Sequence, residues 1–256
     1  MPSIDPGSAL RHSMSEYFDN GLYSDLRIKD SNGHEYAVHR VVVCGQSPVL
    51  ANAVKPEHGF KESQTGIINL EDDDPDAVKA MLQFMYRGSY TITEDDNAMT
   101  QVARAYALGE MYCVPELKEA AAAKFKELSS AHWERADFVN AVRVIYDSVP
   151  DTDKGSIREI VVEVVAKNYS ALLAKPEFEA VLDDFSALGK DGLRALSRNI
   201  ANAPKEREYK CYCSGRNNPP HTVRLTIDHY QVNTQTACPD CGTFLDHPVW
   251  AYWQIK

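Results

Sequence analysis

The chain has 256 residues, 44% hydrophobic and 25% charged, an ordinary globular composition with room for one or two domains that excludes a fibre or a disordered tail. Lys and Arg number 27 against 37 Asp and Glu, a net charge of −10, so polyanions meet mostly repulsion and nucleic acid is disfavoured as the main partner. The polar Met1–Arg11 start, broken by Pro2, Pro6 and Gly7, and the lack of any bilayer-length apolar run point to a soluble intracellular protein, nuclear or cytoplasmic, without membrane contact.

An amphipathic stretch from Leu10 to Leu22 opens the chain, with Met14, Tyr17 and Phe18 as material for a self-association interface. Strands are expected over Asp25–Lys29 and Glu35–His39, joined by the turn chemistry of Ser31-Asn32-Gly33, and a third over Gly66–Leu70. After Asp74-Pro75 a helix begins, with the carboxylates of Glu71 to Asp74 where the helix dipole favours them. Val78, Met81, Leu82, Met85 and Tyr86 recur at three- and four-residue spacing as its buried face, and Gly88 ends it. Helical segments over 95–112 and 115–128 follow, separated at Pro115. From Trp133 to Ala203 the period stays helical, and Pro150, Pro176 and Gly189 divide it into three or four antiparallel helices. The remainder is strand-like, most clearly at Thr222–Ile227.

Tyr23-Ser-Asp-Leu-Arg-Ile28 with the segment His34 to Leu50, then Ile68-Asn-Leu-Glu-Asp-Asp-Asp-Pro-Asp-Ala-Val78 with Met81 to Tyr90, then Ala105 to Tyr112, resemble in order the motifs of a BTB/POZ domain. The resemblance covers roughly residues 20–128, and its specificity lies in the order of several weak motifs. The overall layout resembles fungal-type BTB proteins. The fold class that follows is α+β. A BTB/POZ fold over 20–128, a short β-sheet capped by helices, comes after an N-terminal segment, 1–19. An all-α extension over 132–203, similar in position to a BACK-type extension, and a small β module over 204–256 resembling a zinc ribbon complete the chain.

The resemblance implies a non-enzymatic protein interaction module that homodimerises. It places Asp25 and Arg40 in a shallow charged groove; read from the residues alone, the two could equally satisfy each other as a buried pair. It also sets Phe60-Lys-Glu62 where adaptors of cullin-class ubiquitin ligases touch the cullin, with the surface near Tyr86 to Tyr90 beside it. An aromatic anchor next to one carboxylate suits a small hot spot, and a polar loop with one covering aromatic fits the same residues. Two function classes stay open. One is a substrate adaptor with a cullin scaffold and an unknown substrate protein as partners; the other is a BTB scaffold or transcription- or chromatin-associated regulator that never meets a cullin. The chain lacks kelch repeats, a MATH domain or tandem zinc fingers, and about twenty residues before the first strand leave little for a swapped N-terminal strand.

Four of the six cysteines cluster late in the chain, as Cys211-Tyr-Cys213 and Cys238-Pro-Asp-Cys241. In a reducing compartment such pairs bind metal rather than bridge. Two close pairs joined by a long loop can each span one edge of a tetrahedron, and Gly242 lets backbone N–H groups turn toward the thiolates. The expected cofactor is one structural Zn2+ on Cys211, Cys213, Cys238 and Cys241, with His221, His229 or His247 able to replace Cys211 or Cys213. A module of about 50 residues with few large apolar side chains commonly needs such a staple, and Trp250 to Trp253 reads as a strand packed on it. Cys44 and Cys113 read as core residues.

A nucleophile elbow, a P-loop and a dinucleotide-binding glycine pattern are all absent from the sequence, so no enzyme is expected. The acidic runs Glu71 to Asp74 and Glu94 to Asp96 read as helix-start carboxylates rather than cation sites. The basic stretch from Arg194 to Arg216 leads into a segment, 204–256, with six Lys and Arg against five Asp and Glu. That near-balance does not suit phosphate binding.

Overall fold

The computed structural model describes residues 8–93, 96–150, 157–202, 206–212, 220–227, 235–252 and 254–255. The chain divides into two compact units, Met1–Ala195 and Leu196–Lys256.

In the first unit, helix α1 (Ser8–Asn20) precedes a hairpin of β1 (Leu26–Asp30) and β2 (Glu35–Val38). Helices α2 (Arg40–Gln46), α3 (Pro48–Ala53) and α4 (Lys61–Thr65) lead into β3 (Ile67–Leu70). The sheet runs β2-β1-β3, with β1 antiparallel to β2 and parallel to β3, so Ile28 faces Tyr36 on one side and Ile68 on the other. Buried Asp30 organises the hairpin: its carboxylate accepts from Asn32 N (3.0 Å), His34 N (2.9 Å) and Tyr36 Oη (3.2 Å), and Gly33 takes the positive φ that closes the turn.

Helix α5 (Pro75–Arg87) is the central element. Asp74 caps it by accepting from Ala77 N at 3.0 Å, Pro75 starts it, and Gly88 at φ 69° stops it. All five expected face residues are buried, and so are Ala77, Ala80, Gln83 and Phe84, so the helix is enclosed on nearly every side. The carboxylates before it act as helix-start groups with partners: Asp74 also meets Arg104 Nη1 at 2.8 Å, and Asp73 accepts from Tyr112 Oη at 2.5 Å. Asp95 and Glu94 lie outside the described residues.

Helices α6 (Ala98–Met111), α7 (Pro115–His132), α8 (Ala136–Ser148), α9 (Ile157–Leu173), α10 (Pro176–Asp184) and α11 (Ser186–Asn202) follow. Met99, Val102, Tyr106, Ala121 and Phe125 of α6 and α7 share one hydrophobic cluster with Phe138, Val142, Ile145, Val161, Val165, Phe178 and Leu188. The core is therefore continuous across residue 128, where Phe125 stacks on Phe138 with ring centroids 6.4 Å apart. Gly189 does not break the helical run as expected. It lies inside α11, where nothing crowds it and Leu188 beside it is buried, and the break falls at Phe185, whose non-helical φ of −123° and ψ of 80° end α10. Cys113 is also not a core residue: it is exposed at φ 52° in the link between α6 and α7, while Cys44 does pack on the core and burial raises its thiol pKa. No helix among the described residues is long and apolar enough to cross a membrane.

In the second unit β4 (Glu206–Cys211) pairs antiparallel with β5 (His221–Thr226), and β6 (Gln235–Ala237) with β7 (Phe244–Asp246), before a short helix α12 (His247–Tyr252). Trp250 is thus helical rather than in a strand. It does pack on the module's core, edge-on to Tyr209 at 5.9 Å, with its indole N–H donating to Thr236 O at 3.1 Å.

Buried Asp137 joins α8 to the start of α6, accepting from Met99 N (2.7 Å), Thr100 N (3.0 Å) and Thr100 Oγ1 (2.5 Å). Asp137→Ala leaves two N–H groups of a helix start buried and unpaired, and should cost about 3 kcal/mol in urea denaturation followed by circular dichroism.

Burial pushes the phenols of Tyr36, Tyr86 and Tyr90 up to about 12. An unfolded tyrosine titrates near 10. The native state holds these protons more tightly, so their stabilisation is complete below about pH 10 and is lost as pH rises toward 12. The urea midpoint should stay level from about pH 8 to pH 9.5 and fall steeply above pH 10; a midpoint independent of pH through that window would contradict this.

Candidate functional site

Two places in the fold carry candidate chemistry. The first is the end of the β4–β5 pair. Antiparallel register sets Cys211 directly opposite His221, so two residues ten apart in sequence project from the same face of the ribbon as neighbours. The second pair comes from the turn between β6 and β7. Gly242 N donates to Cys238 O and Cys238 N to Thr243 O, both at 2.9 Å, and Gly242 adopts φ 71°, which curls Cys238-Pro-Asp-Cys241 into a knuckle.

The ligand atoms of Cys211, His221, Cys238 and Cys241 all lie within 4.8 Å of one another. Cys211 Sγ is 3.7 Å from Cys241 Sγ, and His221 Nε2 is 3.2 Å from Cys238 Sγ. Cys211 and Cys238 are fully buried, whereas His221 and Cys241 are partly exposed. Around them, Thr243 Oγ1 lies 3.3 Å from Cys241 Sγ and Asp240 Oδ2 lies 3.6 Å from His221 Nε2. Such a set of three thiols and one imidazole can hold a soft, tetrahedral cation. Cys211, Cys238 and Cys241 thus come together as expected. Cys213, His229 and the side chain of His247 lie outside the described residues.

On the first unit, Phe60 caps the start of α4 and Glu62 sits in that helix's first turn, so both belong to one short segment bounded by Gly59 and Gly66 in left-handed conformations. Phe60 is 50% exposed and touches only the edge of His58, with ring centroids 5.7 Å apart, among the aromatic contacts found. In the stretch from Tyr86 to Tyr90 that the resemblance sets beside this segment, Tyr86 belongs to the buried face of α5, as its spacing predicts. Tyr86 is buried, and its Oη accepts from His39 N at 2.7 Å and meets His39 Nδ1 at 2.8 Å. The core claims this tyrosine because α5 is covered on nearly every side.

Asp25 and Arg40 are neighbours but not a buried ion pair. Asp25 is exposed, and its carboxylate accepts from Arg40 N at 2.8 Å, at the start of α2, while Arg40 Nε donates to the backbone oxygen of Asp25 at 3.3 Å. Helix-start amides are strong donors, so the carboxylate satisfies the backbone rather than the guanidinium. Around this contact Leu22 (52%), Tyr23 (76%) and Val41 (80%) are exposed apolar side chains. Met14 and Phe18, expected at an interface, instead pack on the unit's own core, Phe18 lying 5.0 Å from the Tyr86 ring and under the guanidinium of Arg87. Their apolar face is covered by α5, and the sequence carried no signal for which face of α1 would be used.

Residues 14–129 match the family model described as the BTB/POZ domain. The mouse TD and POZ domain-containing protein 1-like is 32% identical over 88 residues, covering 34% of this chain and 23% of that protein. The BTB and MATH domain-containing protein 42 of Caenorhabditis elegans is 30% identical over 114 residues, covering 44% of this chain and 27% of its own length. BTB/POZ and MATH domain-containing protein 5 of Arabidopsis thaliana is 23% identical over 199 residues, or 75% of this chain and 47% of that protein. The chain therefore spans from 23% to 47% of the length of these relatives. Among solved structures, the BTB domain of human gigaxonin matches with a TM-score of 0.36 and 20% identity, covering 47% of this chain and 93% of that domain.

Proposed function

With residues 14–129 forming a BTB/POZ domain, we propose that this protein works by binding other proteins and without catalysis, as a substrate adaptor of a cullin-class ubiquitin ligase. The observation that carries the adaptor reading is Phe60. A phenylalanine half in solvent at the start of a five-residue helix, with Glu62 in that helix's first turn, offers apolar area and an orienting charge to a partner. Gly59 and Gly66, both left-handed, bound the segment. The helices from α8 onward extend the same core and lengthen the surface available to such a partner. A single Zn2+ in the second unit would hold that module for contact with a substrate protein.

Self-association belongs to the same proposal, and Leu22, Tyr23 and Val41 are its surface, because they are exposed where Met14 and Phe18 are not. These residues equally support the second reading, a homodimeric scaffold or transcription-associated regulator that binds no cullin.

Affinity capture with a cullin N-terminal domain separates the two readings. Binding at micromolar concentration is expected, and Phe60→Ala should lose about 2 kcal/mol, roughly thirtyfold in affinity, with Glu62→Ala also weakening it. No binding by the wild type, or unchanged binding by both variants, would leave the scaffold reading standing. Light scattering at tens of micromolar should give the mass of a dimer, and Val41→Glu, which places a charge on the exposed patch, should return it to a monomer.

A further inference from the structure

We infer that His221 takes the fourth ligand position of the metal centre, the place that sequence spacing gives to Cys213, which makes it a closed Cys3His site built from a cross-strand pair and a knuckle. This inference rests on the reading that the second unit binds Zn2+.

Sequence spacing favours two local pairs, Cys211 with Cys213 and Cys238 with Cys241. The strand register provides a different pair. Cys211 and His221 are the last matched partners of β4 and β5, and partners directly opposite in an antiparallel ribbon hold their Cβ atoms about 5 Å apart on one face. A side chain on each can therefore reach one ion without bending the backbone.

Two of the donor separations are close to the edges of a tetrahedron around one ion, and all four donors lie within 4.8 Å of one another. Zinc–sulfur bonds of about 2.3 Å and zinc–nitrogen bonds of about 2.0 Å at tetrahedral angles require S···S edges of about 3.7 Å and S···N edges of about 3.5 Å. Cys211 Sγ to Cys241 Sγ is 3.7 Å and His221 Nε2 to Cys238 Sγ is 3.2 Å. A disulfide would need about 2.05 Å between sulfurs, so Cys211 and Cys241 are not bonded to each other. The four donors fill the coordination number of a structural zinc site, and Cys213 is not needed. No position remains open for substrate or water. Softness selects the metal: three thiolates and an imidazole favour Zn2+ over Mg2+ or Ca2+, which take oxygen ligands.

The site also explains how so small a unit holds together. Among the described residues its buried cluster is Tyr209, Cys211, Val223, Leu225, Ile227, Cys238 and Trp250, so two of these seven are metal ligands. The ion ties the β4–β5 ribbon to the β6–β7 knuckle, two sheets that share no strand pairing among the described residues.

Metal content and the Co2+ spectrum of the full chain test the assignment. Wild type should contain one zinc per chain, and exchange for Co2+ should produce the visible bands of a tetrahedral site with thiolate charge transfer. Cys213→Ser should leave stoichiometry and spectrum unchanged. His221→Ala should weaken zinc binding at least tenfold, while His221→Cys should keep one metal and move the visible bands to longer wavelength as a fourth thiolate enters. Loss of metal in Cys213→Ser, or an unchanged Co2+ spectrum in His221→Cys, overturns the assignment of His221 while the zinc reading survives. A wild type without zinc that also fails to bind Co2+ overturns both. The His221→Cys and Cys213→Ser outcomes decide the question even if His221→Ala does not fold.

Discussion

Helix α5 is buried around most of its circumference from Ala77 to Tyr86, and this burial places the elements that surround it. A helix apolar on all sides has no stable position at a surface, so other elements must cover it. In this unit α1, α2 and α6 all lie against it. The consequence for function is direct. Met14 and Phe18 are committed to covering α5 and Tyr86 is buried within it, while Leu22, Tyr23, Val41 and Phe60 are among the exposed apolar groups of this unit.

A second constraint acts where α6 begins. The first amides of that helix are inside the protein, where no water can satisfy them. Asp137, from α8, supplies the acceptors, and the carboxylate is tolerated in the core because three donors converge on it. This polar joint, set beside the stacked Phe125 and Phe138, makes α8 part of the same body as α6 and α7. The later helices thereby continue the core that α6 and α7 begin.

The second unit meets the opposite problem. Its apolar cluster has seven buried members among the described residues, and folding must still overcome the entropy of ordering some fifty residues. A cation held by four side chains adds coordination energy where hydrophobic area is scarce. Trp250 contributes what area it can, with Tyr209 in a T-shaped contact and Thr236 accepting its N–H, so its one polar atom is not left without a partner.

Local chemistry made much of the fold legible in advance. The Asp74-Pro75 start, the Gly88 stop, the buried face of α5 and the Asn32-Gly33 turn are each written within a few residues, because caps and turns depend on nearest neighbours. The Cys238-to-Gly242 knuckle was legible for the same reason. The break at Phe185 rather than Gly189, the exposure of Cys113 and the covered face of α1 were not, since each depends on what another element packs against it. The metal centre divides along the same line. By itself the sequence determined that thiols would gather in the last fifty residues. Only the tertiary structure decided that Cys211 stands across from His221, because a strand register joins residues by hydrogen bonds between chain segments and not by their spacing along the chain.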